Sequence, residues 1–119
     1  MMRFQHSGFE CMTRISPIGV PCGYVGLPRD HPDYEKHYDD IYDIEVHGGL
    51  TFAGYWEEFH DSLWYVGFDA GHYMDMDYEA ALGYTYVGRS NKSMEYVIEE
   101  TERLAEQMAK RAVKDDIRV

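Results

Sequence analysis

The feature that most constrains the fold is a single helical stripe near the end of the chain. From about residue 91 or 93 to residue 113, apolar side chains recur at Met94, Val97, Ile98, Leu104, Ala105, Met108 and Ala112. That is the three-and-four spacing of a helix with one buried face. Glu95, Glu99, Glu100 and Glu102 crowd its first half, and Lys110, Arg111 and Lys114 its end, an order that complements the helix dipole. The stripe needs a surface to cover, and the residues before it supply one in strand-like pieces. Residues 9–15 alternate well enough for a strand, and Pro17, Gly19 and Pro21 then break the chain. Residues 22–27 read as a second strand, with Gly23 and Gly26 marking a bulge or a close backbone approach. Residues 62–68 are the most apolar run and read as a central strand covered on both faces. Between these, residues 33–38 suit one helical turn after Pro32, and residues 41–46 alternate Ile41, Ile44 and Val46 with acids, which predicts a strand running into a Gly48-Gly49 turn. Residues 50–53 resume the β-like pattern, so a hairpin or sharp bend is expected at the glycines. Residues 69–77 read as a loop, 78–82 as a short helix and 84–87 as a short strand. The expected fold class is therefore α+β: a mostly antiparallel sheet of four to six short strands with one long amphipathic helix across a face.

Length and composition agree with one domain over residues 1–119, since 45% apolar residues suffice for a core. No stretch approaches the roughly 20 consecutive apolar residues of a membrane span, and the first residues do not read as a signal peptide, so a cytoplasmic setting without membrane contact is expected. Cys11 and Cys22 are too few for a disulfide-stapled secreted domain, and their spacing matches no zinc pattern. They read as reduced thiols, brought close only if their segments pair as neighbouring strands. The formal net charge is −11, and it is uneven: residues 30–88 hold fourteen acids against the single base Lys36, while the remainder is slightly basic. Such a surface repels phosphate backbones and argues against direct nucleic-acid binding. It suits a cation, a cationic partner, or mimicry of nucleic acid in a basic groove; equally, it keeps a tyrosine-rich domain soluble.

Two segments concentrate the residue types that chemistry requires. His47 precedes Gly48, Gly49 and Thr51; glycines at positive φ can turn successive backbone N–H groups toward one point, an anion-binding concavity bracketed by an imidazole and a hydroxyl. A hairpin that merely turns the chain explains the glycines as well, and the segment is neither a phosphate-binding Gly-Lys-Ser/Thr loop nor a dinucleotide fingerprint. Asp69, His72 and Asp75 follow the strongest strand at spacings of three. Two carboxylates and an imidazole can hold a divalent metal, with His47 as a fourth ligand, and such an ion lowers the pKa of a bound water. Without metal, His47 or His72 beside Asp69 fits general acid–base work. The structural alternative is a loop in which Asp69 caps its own backbone and His72 packs on an aromatic ring. Trp64 and Trp56, with Tyr24, Tyr42, Tyr55, Tyr65, Tyr73 and Tyr84, can line a pocket that stacks on a base, although strand aromatics usually build cores.

Read in order, Cys22-Gly23-Tyr24-Val25, His31-Pro32, the segment from His47 through Thr51 to Phe52, and the run from Trp64 through Asp69 to His72 with Asp75 resemble an uncharacterised family of small phage- and prophage-encoded proteins. The likeness spans roughly residues 20 to 110, and the His47 and Asp69 segments are its most specific parts. It implies a host-cytoplasm setting and an accessory role, counter-defence included. Two functions are carried forward. One is a binding protein or hydrolase for a phosphorylated or nucleotide-like ligand, with His47, Asp69 and His72 as catalytic groups, Gly48, Gly49, Thr51 and Trp64 as ligand contacts, and His47, Asp69, His72 and Asp75 as metal ligands. The other is a non-enzymatic acidic inhibitor that occupies a basic groove of a host protein through Asp30, Asp33, Glu35, Asp39, Asp40, Glu57, Glu58 and Asp61. The closing helix or a sheet edge would support a homo-oligomer.

Overall fold

The turn at Ser7 and Gly8 sets the first register: both residues have positive φ, 52° and 84°, the mirror-image turn whose twist matches a hairpin. It joins β1 (Met2–His6) to β2 (Phe9–Ile15), with His6 opposite Phe9. In this computed structural model, which describes residues 1–71, 76–77, 89–90 and 92–117, three further strands extend the sheet. They are β3 (Pro21–Leu27), β4 (Phe52–Tyr55) and β5 (Trp64–Asp69), giving the order β1-β2-β3-β5-β4 with every neighbour antiparallel. A two-residue ladder, β6 (Met76–Asp77) with β7 (Arg89–Ser90), forms a separate pair, so residues 76–77 are paired rather than wholly loop. The helix α1 (Met94–Ile117) lies across β2 and β3. The expected helix at 78–82 and strand at 84–87 lie outside the described residues.

The sheet has a core on each face, because alternate residues of a strand point opposite ways. On the helix side, Phe9, Cys11, Val25, Leu27, Val66 and Phe68 meet Val97, Leu104, Ala105 and Met108 of α1. On the other side, Met12, Cys22, Tyr24 and Tyr65 are covered by Phe52, Trp56, Phe59 and Leu63, the last three from the segment between β4 and β5. This explains why 62–68 reads as continuously apolar. It also separates the cysteines: Cys11 and Cys22 occupy adjacent strands but opposite faces, and both are free. Helix and sheet approach closely at Gly23, where a Cβ would sit 2.0 Å from Thr101 Oγ1.

Residues 41–46 are not the strand that their alternation predicts. Ile41, Ile44 and Val46 do pack into the helix-side core, but Asp43 adopts φ 62° and the backbone finds its partners on α1. Glu45 N donates to Gln107 Oε1 at 2.8 Å, and Glu45 O accepts from Arg103 Nη2 and Gln107 Nε2, both at 2.8 Å. The predicted helical turn at 33–38 is a run of turns followed by a 3-10 turn at Tyr38–Asp40. This segment is anchored by Asp33, which is fully buried and paired with the Nε–Nη2 edge of Arg111, with Nη2 to Oδ1 at 2.8 Å. Among the described residues no helix is long and apolar enough to cross a membrane.

Candidate functional site

The two singled-out segments meet where β5 ends and the chain enters β4. Phe52 pairs with Gly67, and one residue earlier Thr51 N donates to Gly67 O at 2.8 Å. Gly67 is required there: a Cβ would lie 2.4 Å from Tyr24 Cδ1 and 2.6 Å from Gly23 O. Asp69, the last residue of β5, pairs with Cys22 on β3 and carries its side chain at this same end of the sheet. Its Oδ2 accepts from Thr51 Oγ1 at 2.9 Å, so one side-chain hydrogen bond joins the two segments. Its Oδ1 accepts from Gly71 N at 2.9 Å, capping the chain's exit from the strand. Asp69 thus performs the structural task that its own backbone sets, as well as facing Thr51.

His47 is held by a different support. Gly49 N donates to Val46 O at 2.8 Å, closing a turn that places Gly48 at φ 68° and leads into Gly49 at φ 80°. A side chain in that left-handed region is strained, so the glycines are needed for the turn itself. The turn is not the apex of a hairpin, since no strand precedes it. Helix α1 holds what the turn presents. His47 N donates to Glu100 Oε1 at 2.9 Å, and His47 Nδ1 lies 2.8 Å from Tyr96 Oη with the rings edge to face. Glu100 is held in turn by Arg103 Nε at 3.0 Å. Tyr96 and Glu100 sit four apart on one helix face and therefore grip the same residue. A partner that fixes one ring nitrogen also fixes the orientation of the imidazole, which is the prerequisite for proton transfer or ligation.

His72 and Asp75 lie outside the described residues, so the four-residue metal set is represented by His47 and Asp69. Among the described residues no group of three or more His, Cys, Asp and Glu side chains is arranged to hold a metal ion. Trp64 is not brought to this site: it opens β5 where Asp69 closes it, donates Nε1 to Lys36 O at 2.9 Å, and packs edge to face on Tyr55. The thiols offer no nucleophile. Burial, with Glu10 adding to it, pushes Cys11 up to about 12, and burial also raises Cys22. Tyr96 and Glu100 were beyond sequence reasoning, because both stand off the apolar stripe that announces the helix. The acidic surface is also smaller than expected, since Asp33 is buried against Arg111 and Asp61 is engaged by Arg3, Tyr65 and Leu63.

The hydroxyl of Thr51 and the carboxylate of Asp69 meet at this end of the sheet, while the His47 imidazole, four residues before Thr51, is oriented by Tyr96 of α1; all three are half-buried. No family model, curated protein or solved structure compared with the chain matches it.

Proposed function

We propose that this protein binds a phosphorylated or nucleotide-like small molecule where the His47–Thr51 segment meets Asp69. The observation that carries the reading is the Thr51 Oγ1–Asp69 Oδ2 hydrogen bond of 2.9 Å, which joins two segments that sequence chemistry singled out independently. Strand-end loops on a rigid sheet are where binding groups are commonly presented. An anionic ligand beside the Asp69 carboxylate meets like charge, and a divalent cation between them removes that conflict. Asp69 and His47, with His72 and Asp75 from the sequence spacing, are the donors for such an ion. It would supply Lewis-acid polarisation of the ligand's phosphoryl oxygen or a bound hydroxide. Hydrolysis is the catalytic form of the same reading, with His47, steadied by Tyr96, or His72 moving the proton. A phage accessory role in a host cytoplasm, implied by the family resemblance, fits either form.

The uneven charge favours one second reading, an acidic inhibitor of a basic host groove, resting on Asp39, Asp40, Glu57 and Glu58, which are exposed. Native mass spectrometry of the protein purified from cells separates the two. Ligand binding predicts a small-molecule or metal-ion mass excess that disappears in His47→Ala and Asp69→Asn. A bare chain that instead carries a basic protein, released by salt and indifferent to both substitutions, would replace the first reading with the second.

A further inference from the structure

At the opposite end of β4 and β5, beside the Tyr55–Trp64 pair, a cleft of about 560 Å³ opens between the 28–38 and 56–63 segments. That volume lies in the range of small-ligand pockets. Its wall sets the rings of Tyr34, Tyr55 and Trp56 beside Arg29, His60 and the exposed carboxylate of Glu57. Most polar groups around it are already satisfied. Tyr34 Oη donates to Ser62 O at 2.8 Å, and Tyr55 Oη lies 2.7 Å from Glu35 Oε2 and 3.1 Å from Tyr34 Oη. The Asp61 carboxylate accepts from Tyr65 Oη at 2.7 Å and from Leu63 N at 3.1 Å, and it lies 3.6 Å from Arg3.

Arg29 and His60 differ from these groups. Among the described residues, neither the Arg29 nor the His60 side chain has a hydrogen-bond or ion-pair partner, and both are exposed. Arg29 brings a fixed positive charge to a wall that also carries the carboxylates of Glu57 and Asp61, the latter already held by Tyr65, Leu63 and Arg3. The backbone of this wall is held in a fixed shape. His60 and Ser62, bracketing Asp61, adopt φ 50° and 59° without being glycine. Such conformations persist where surrounding bonds over-determine them, and at His60 the left-handed backbone closes the 3-10 turn Glu57–Phe59. Here the Asp61 and Tyr34 hydrogen bonds hold the segment in that shape.

We infer that this cleft binds a planar aromatic molecule carrying a phosphate or a carboxylate, its ring against Tyr55 and Trp56 and its anion at Arg29 and His60. Guanidinium groups pair with both anions in a forked geometry, and exposed aromatic rings stack on planar ligands at little entropic cost. The inference stands apart from the Thr51–Asp69 site, being built from other residues at the other end of the strands.

Amide and indole NMR titrations of the full chain test it with four probes. These are adenosine 5′-monophosphate and indole-3-acetate, which join ring to anion, and adenosine and inorganic phosphate, which do not. The expected result is that at least one ring-plus-anion probe shifts the Trp56 indole and the amides of His60 and Ser62. Its binding should be about tenfold tighter than that of either separate half, and tenfold weaker in both Arg29→Ala and Tyr55→Leu. A response to the monophosphate alone identifies a nucleotide; a response to the indole acid alone, an aromatic carboxylate. The inference is overturned if neither combined probe moves those resonances at millimolar concentration, if shifts appear only around Gly48–Thr51 and Asp69, or if Arg29→Ala binds as the wild type does.

Discussion

Asp69 accepts hydrogen bonds on both carboxylate oxygens, from Gly71 N and from Thr51 Oγ1, so the account makes separate predictions for its shape and its charge. Asp69→Ala orphans both donors and should cost about 2 kcal/mol of stability in urea unfolding. Asp69→Asn keeps an acceptor and should cost less than about 1 kcal/mol, while removing the charge on which the proposed cation depends. The thiols give a second test at this scale. With Cys11 pushed up to about 12 and facing away from Cys22, native protein should resist alkylation at neutral pH and form no internal disulfide under oxidation, both readable by mass. Asp69, Thr51 and His47 were legible in the sequence because glycines and strand ends mark such positions by type. Tyr96 and Glu100 were not, because their role depends on which side of α1 faces the turn, and that is decided only by packing.

The elements are specified with unequal clarity, for reasons that lie in their partners. The α1 stripe and the apolar runs of β2, β3 and β5 announce themselves because one layer, or two, must cover them. Residues 41–46 carry a strand's alternation yet run irregularly, since Gln107 and Arg103 supply the hydrogen bonds that a neighbouring strand would otherwise give. β1 was missed because Met2–His6 is an edge strand with mostly exposed side chains and no buried face to pattern. Where α1 meets β3, Gly23→Ala should lower stability by about 1–3 kcal/mol, since its Cβ would fall on Thr101 Oγ1 and within 2.8 Å of Phe68 Cε1. A thermal-unfolding double-mutant cycle with Thr101→Ala should recover part of that loss; strict additivity would deny the contact. The loop between β3 and β4 is tied to α1 through Asp33. Burial raises that carboxyl, but the Arg111 hydrogen bond and charge, with Lys36, outweigh it and hold it below its ordinary value. The sign follows: the pair's contribution is full above the unfolded pKa of about 3.9 and fades as pH falls through the lower folded value. Arg111→Ala should cost about 3 kcal/mol at pH 7 by leaving a buried carboxylate short of its main partner, and markedly less at pH 2.

For the whole molecule, the antiparallel sheet divides its polar chemistry between two ends. The end where β5 finishes holds the Thr51–Asp69 contact, with the turn that leads to it pinned on α1 through His47; the end where β5 begins holds the aromatic cleft. The Asp69 carboxylate explains why an anionic ligand at the first end calls for a cation, whereas at the second the guanidinium of Arg29 lines the cleft itself. The first end is legible in the sequence through its motifs; the second is marked there by scattered aromatic residues and by the acidic, His60-containing turn at 57–61. The most direct test of the central claim is an amide NMR titration of the full chain with nucleoside 5′-monophosphates, with and without magnesium, manganese or zinc. The account predicts saturable shifts at Gly48, Gly49, Thr51 and Asp69 that require the metal and are lost in His47→Ala. Silence at those four amides across every nucleotide and metal, in protein that remains folded, would contradict it.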